Sequence, residues 1–300
     1  MKKSTKIMLI VFSCLFAVGF VTASIDAALT GFNYKFFNTT DFKKVSYTPE
    51  GEFNSIYISA ADGNVEFYRS DDGKCRIECM ENEDIKHSAE ISGGALNIKR
   101  ESNGVFGINF GGVRDAYDIK IYLPENSYRS LSAESDSGDV LVPEGFDFSQ
   151  VRIYTKSGDA SVKSSCGELL LVQTVSGDID VENVGSPSVS LSTTSGDIST
   201  ENFTADNLSF NSVSGEIDLD NTTAKKGLFA ESVSGDIELD GVDSPDIQIK
   251  TTSGDVSGSL KSNKVFTAQS TSGSINIPKS DGSEKCFVKT VSGDIKIEID

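Results

Sequence analysis

The chain has 300 residues, with 27 Lys and Arg against 45 Asp and Glu, a formal net charge of −18 and a pI near 4.5. This acidic balance argues against nucleic acid as a partner and against adsorption to anionic lipid. With no tryptophan and one histidine, the usual equipment for sugar stacking and general-base chemistry is thin.

The first 29 residues read as a targeting or anchoring segment. Lys2, Lys3 and Lys6 precede an uncharged, largely apolar run from Ile7 to Ala23. Its length falls between a signal-peptide core and a full membrane span. It is either a hydrophobic transmembrane helix that stays as an anchor or a signal peptide cut after Val21-Thr22-Ala23. Both place the rest of the chain outside the cytoplasm, as a single-pass membrane protein or a secreted one, with the lysines inside. Cys14 is a weak lipoprotein signal, because the bulky Phe12 is wrong for one. Residues 30–49, polar and dotted with Phe32, Tyr34, Phe36 and Phe37, read as a stalk.

Residues 50–130 read as an irregular β region that caps a more regular array. Ile56, Ile58, Gly63, Val65 and Phe67 fit the template of the later repeat, and His87, Ala89, Gly94, Leu96 and Ile98 fit it more loosely. Between them Cys75, Ile77 and Cys79 alternate as a strand. A Gly-rich stretch with Phe106, Ile108 and Phe110 comes next, and then a strand of Ile119, Ile121 and Leu123 closed by Pro124.

Residues 131–300 are a repeat. Ser-Gly followed by a carboxylate stands at Ser137-Gly138-Asp139, Ser157-Gly158-Asp159, Ser176-Gly177-Asp178, Ser195-Gly196-Asp197, Ser214-Gly215-Glu216, Ser234-Gly235-Asp236, Ser253-Gly254-Asp255 and Ser292-Gly293-Asp294, with Ser272-Gly273-Ser274 as the variant. The period is 19–20 residues, which signifies a stacked array. The positions seven and five before the glycine, and two after it, are apolar in every copy. Alternation with period two marks strands with one buried face. One coil cannot bury that face alone, but a stack can. The pattern predicts an all-β fold: a β-solenoid, parallel β-helix-like, of about nine regular coils with parallel pairing between them. An open antiparallel meander is the alternative, and the near-constant period disfavours it. Glycine suits a turn with positive φ. The Ser or Thr three before it, and the Ser one before it, share the parity of the buried columns and are expected to bond along the stack or to the turn backbone. The final strand, Ile295 to Asp300, is expected to form the open edge, blunted by Lys296, Glu298 and Asp300 but available for edge-to-edge association.

Candidate sites are few. Neighbouring coils read Glu216-Ile-Asp218-Leu-Asp220 and Asp236-Ile-Glu238-Leu-Asp240, with all six acids on one outward parity. Like charges stacked about 4.8 Å apart repel by roughly 1 kcal/mol per pair even in water. A calcium-type divalent cation on Asp218, Asp220, Glu238 and Asp240 would offset that. Turn amides, counter-ions or plain solvation would too, and a solvated face is the simplest reading. Cys75 and Cys79, four apart on a strand, cannot bridge each other. The cysteines form no CxxC, and only His87 could join them on a metal, so they are read as buried or idle free thiols, with a disulfide as the alternative, and His87 as a structural histidine. Nine serines in equivalent turns are structure, not one nucleophile. No catalytic or cofactor-binding signature is present.

Ile119-Lys-Ile-Tyr-Leu-Pro-Glu125, Leu131-Ser-Ala-Glu-Ser-Asp-Ser-Gly-Asp-Val140 and the reiterated Thr/Ser-x-Ser-Gly-Asp resemble the DUF4097 family of bacterial proteins, which carry the label "putative adhesin". The opening Phe53-Asn-Ser-Ile-Tyr-Ile58 and the Ser70-Asp-Asp-Gly-Lys-Cys75 turn resemble that family's first strands. The resemblance spans about residues 50–300. It implies a β-solenoid-like domain, often tethered to the membrane of Gram-positive bacteria, and carries no functional residues with it. The expected role is non-enzymatic: an extracytoplasmic structural or interaction protein whose partner is a protein or an envelope polymer. The alternative is a ligand- or cation-sensing module of an envelope-stress response.

Overall fold

The computed structural model describes residues 42–83, 85–102 and 118–300. The expected N-terminal helix, Cys14 and the Gly-rich 104–112 stretch lie outside them. The described residues hold twenty-five strands and no helix, hence none long and apolar enough to cross a membrane.

The strand before each Ser-Gly turn joins a 12-stranded sheet, and the strand after it joins a 13-stranded sheet. Within the repeats every pairing is parallel and the apolar columns stay in register, with local shifts between Phe148 and Gln150, Ala205 and Asn207, and Leu239 and Val242. Val151 pairs with Leu170, Leu170 with Val189 and Val189 with Leu208 in one sheet. Ile179 pairs with Ile198, Ile198 with Ile217 and Ile217 with Ile237 in the other. This is the β-solenoid, not the meander. The apolar columns of the two sheets meet as one continuous core.

The glycine is required for a reason other than turn conformation. The repeat glycines from Gly138 onward are absent from the positive-φ positions. They are places where two backbones touch. A Cβ at Gly158 would stand 2.0 Å from the Gly138 carbonyl oxygen, and one at Gly177 would stand 2.0 Å from that of Gly158. The same contact recurs at Gly196, Gly215, Gly235, Gly254, Gly293 and Gly273. The hydroxyl three before the glycine supports this contact from inside. Thr174 Oγ1 accepts the Gly177 N–H at 2.9 Å and donates to the Gly158 carbonyl at 3.3 Å. Thr193 does the same for Gly196 and Gly177. These buried hydroxyls behave as expected. The serines one before the glycine do not: Ser137, Ser157, Ser176 and Ser195 are exposed.

The polar return holds a ladder of its own. Asn183, Asn202 and Asn221 adopt φ of 56°, 51° and 46°, and Gly241 takes the same place at 57°. Asparagine tolerates this left-handed region better than most residues. The side chains bond upward, Asn202 Nδ2 to Asn183 Oδ1 at 3.2 Å and Asn221 Nδ2 to Asn202 Oδ1 at 2.5 Å.

Both ends depart from the sequence expectation. At the beginning, Lys43–Tyr47, expected within the stalk, is a strand antiparallel to Arg76–Glu81. Ile85–Ser92 and Ala95–Ser102 form an antiparallel hairpin through Gly93 and Gly94, with φ of 61° and 76°. Gly94 is therefore a hairpin turn within one sheet, not a coil turn between sheets. At the far end the last two coils exchange places. Asp246–Lys250 pairs with Glu284–Ser292, which pairs in turn with Lys264–Ser272. Val256–Leu260 likewise pairs with Ile295–Ile299, and Ile295 pairs with Ile275. The final strand is thus interior, and the edge belongs to Lys264–Ser272 and Ile275–Asn276. A fully buried lysine pins this order. Lys264 Nζ lies 2.6 Å from Asp243 Oδ1 on one side and bonds Glu284 Oε2 on the other. Burial alone would pull this ammonium down, but its two acidic partners outweigh that and hold it above the usual lysine value.

Gly177→Ala is expected to lower the unfolding free energy by about 3 kcal/mol or more, because backbone, not a flexible side chain, must move. Gly167→Ala, whose Cβ would meet nothing nearer than 3.6 Å, is expected to cost under about 1 kcal/mol. Urea unfolding of both variants checks the contrast.

Candidate functional site

The aspartate after each repeat glycine is committed to the stack, and Glu216 interrupts the series because it only donates its own N–H. Asp159 N–H donates to Asp139 Oδ1 at 2.9 Å, and Asp178 N–H donates to Asp159 Oδ1 at 2.8 Å. The series continues with Asp197 on Asp178, Glu216 on Asp197, Asp255 on Asp236 and Asp294 on Asp255. It starts from Asn64, whose Oδ1 accepts the Asp139 N–H at 3.0 Å. It ends at Ser274, whose N–H donates to Asp294 Oδ1 at 2.7 Å. In the described stack no further coil lies beyond Ser274, so nothing there needs an acceptor. The exchanged strand order accounts for the one variant of the motif.

The acids two and four residues further on have no such role. Asp218 stands in register with Glu238, and Asp220 with Asp240, all exposed on the 13-stranded sheet. They form one wall of an open groove of about 530 Å³. Its floor is Ser257-Gly258-Ser259, and Lys296 and Glu298 stand beyond, paired to each other at 3.0 Å. The floor is low because Gly258, at φ 125°, lies against the Leu239 backbone where a Cβ would be 1.7 Å from the carbonyl oxygen. All four residues predicted as cation ligands are therefore brought together, on an open face rather than in a cage.

Desolvation first, and then Glu238, Asp220 and Asp240, raise the Asp218 carboxyl above the ordinary aspartate value. Glu216 is raised by desolvation and by Glu238, Asp197, Asp218 and Asp236. Further along the same face Asp180 is raised by desolvation and by Asp178, Asp159 and Glu182, with Lys163 opposing. The face can hold a hard cation through oxygen, or a partner that brings positive charge.

Sequence reasoning missed two features. Val175, Val213, Val233 and Val291 stand exposed two before the glycine, with Thr194 and Thr252 in the rows between them. The signal was present as a column of β-branched residues at the 19–20-residue period. The other is at the capping end, where Phe53 stacks on Tyr128 at 5.9 Å beside a second concavity of about 670 Å³. No periodic signal marks it. The cysteines behave as read. Cys75, Cys79, Cys166 and Cys286 are free and buried, and burial pushes each thiol up to about 12.

Fold and site together define a repeat β-solenoid with a periodic acidic face. The chain belongs to the DUF4097 family, described as Toastrack DUF4097, whose model matches residues 53–298. Among solved structures it is similar to a "putative adhesin" from Parabacteroides merdae, at 13% identity over 86% of this chain and 96% of that one, with a TM-score of 0.52. It is also similar to a "putative lipid binding protein" from Parabacteroides distasonis, at 17% identity over 86% and 97%, again with a TM-score of 0.52. At such identities the likeness is one of fold. No curated protein matches the sequence.

A raised carboxyl takes up a proton on folding, so wild-type stability falls as pH rises through the folded value of Asp218. Asp218→Asn is expected to gain about 0.5 kcal/mol at pH 7. The gain should vanish as pH drops below the raised value, where wild type is protonated too. Unfolding curves across that range check the sign.

Proposed function

We propose that this chain is a non-enzymatic, extracytoplasmic interaction protein of the adhesin kind, presenting a repetitive acidic face to a protein or an envelope polymer. The observation that carries this reading is the register of the free carboxylates. Glu182, Glu201, Asp220 and Asp240 stand in register over four successive coils, and Asp218 faces Glu238 beside the last two, so the acidic column repeats along this part of the stack. Such a surface suits a partner that is itself repetitive or extended and carries positive charge. The name "putative adhesin" on a protein of the same fold agrees with this role. "Lipid binding", on the other, fits less well with a net charge of −18 facing anionic membranes. The basic-apolar segment up to Ala23 supplies the membrane tether or the export signal. Edge-to-edge association, expected from the sequence at the final strand, moves to Lys264–Ser272. That edge strand is uncharged from Val265 onward, with Val265 exposed.

A second reading is cation sensing by the same face. It rests on the crowding of Asp218 by three acids, which a divalent ion would relieve. One experiment separates the two. Protein is bound to isolated cell envelopes in EDTA and in millimolar calcium, as wild type and with Asp218→Asn, Asp220→Asn, Glu238→Gln and Asp240→Asn combined. The interaction reading predicts binding in EDTA that fades with salt and falls about tenfold in the variant. Binding that needs calcium supports the cation reading instead. Equal binding by wild type and variant contradicts both.

A further inference from the structure

The capping end holds a cluster that neither the repeat nor the acidic face uses. Cys79 and Glu81 are two apart on the Arg76–Glu81 strand, so both side chains take its buried side. His87 enters from Ile85–Ser92, which belongs to the other sheet. The Cys79 Sγ, a Glu81 carboxylate oxygen and a His87 ring nitrogen all lie within 4.8 Å of one another.

The histidine is the telling member. Its side chain is 1% exposed, and neither ring nitrogen has a hydrogen-bond partner. Nδ1 stands 3.6 Å from Glu81 Oε1, beyond hydrogen-bond reach. A buried polar group left unpaired gives up its hydration and gains no bond in return. In the same cluster Glu81 is well held. Its Oε1 accepts the Tyr47 hydroxyl at 2.5 Å and the backbone N–H of His87 at 2.8 Å, and Lys86 Nζ lies 3.4 Å from its Oε2. A carboxylate so oriented, next to an imidazole with nothing to bond, has the form of a metal site whose supporting bonds are in place.

We propose that Cys79, Glu81 and His87 bind a zinc-class transition-metal dication, which fastens the two sheets together at the capping end of the stack. Thiolate, imidazole and carboxylate are the three donor types zinc takes. The thiolate selects against calcium and magnesium. Donors on a tetrahedral zinc stand roughly 3.3–3.8 Å apart; Glu81 and His87, at 3.6 Å, already have that spacing, so the Cys79 sulfur needs to draw in by at most about 1 Å, and the fourth position is left for water. The charges balance. Cys79 gives its proton to solvent as the sulfur binds, and thiolate plus carboxylate offset the two positive charges. Arg100 is opposite His87 in the hairpin, and its charge is met by Asp62 at 2.9 Å.

The test uses the whole chain, stripped with EDTA and dialysed. Zinc is titrated against a chromogenic chelator, and cobalt(II) is followed by absorption. Wild type is expected to take up one equivalent and to show a thiolate-to-cobalt charge-transfer band. Cys79→Ser should abolish the band. Cys79→Ser and His87→Gln should each weaken zinc binding by at least the about 100-fold that loss of an outer partner costs. Cys166→Ser should change neither. Absence of the band in wild type overturns the proposal whether or not the variants fold. So does zinc affinity unchanged by Cys79→Ser and His87→Gln.

Discussion

The structure depends on one contact, repeated. At each Ser-Gly turn the backbone of one coil lies so close to the carbonyl of the coil before it that a single methyl group would not fit. At Gly158 a Cβ would be 2.0 Å from the Gly138 oxygen. This approach fixes where each coil sits on its neighbour, and hence the register of both sheets. A one-residue slip in either strand would turn the apolar columns outward. It also explains why the period is held so closely, since an added residue would have to be absorbed away from the turn. The hydroxyl beneath and the carboxylate beside the glycine complete the same joint. One satisfies the turn amide and the carbonyl below, and the other receives the amide of the next coil.

The joint also governs the ends. A coil whose acid receives the next amide needs a next coil, and Ser274 lacks that acid. The coil that carries it lies at the edge, and the chain turns back to place Glu284–Ile299 inside. Lys264 commits the arrangement, because its buried ammonium needs both Asp243 and Glu284. Breaking a buried pair on one side strands a charge, which is far costlier than leaving a surface pair unmade.

The regular part of this architecture was legible in the sequence because it is periodic. Three apolar columns, a hydroxyl column and a glycine column gave the sheets, the parallel stacking and the buried hydroxyls. What was misread is what period alone does not encode. The same Gly that would serve a positive-φ turn serves a backbone contact, and only the neighbouring coil distinguishes them. Gly94 fits the template by spacing yet closes a hairpin, because Gly93 beside it permits two successive left-handed residues. Spatial order need not follow chain order, so the final strand looked like an edge. The acids at Asp218, Asp220, Glu238 and Asp240 were legible as a cluster from their shared parity, and they do gather on one groove. That Asp139, Asp159 and Asp178 are instead acceptors in the stack was hidden, since both sets have the same parity. The Cys79, Glu81 and His87 grouping was invisible for another reason: its members meet across two sheets, and one histidine in 300 residues makes no pattern.

The acid after the glycine is, above all, a hydrogen-bond acceptor between coils and not a charge held for a ligand. Asparagine already plays this part at Asn64. The decisive measurement is the urea unfolding free energy of Asp178→Asn beside that of Asp178→Ala. Asn keeps the acceptor for the Asp197 N–H and should stay within about 0.5 kcal/mol of wild type, whereas Ala should lose about 1–2 kcal/mol. Equal losses in the two variants would mean that the charge matters and the acceptor does not, and would contradict this role.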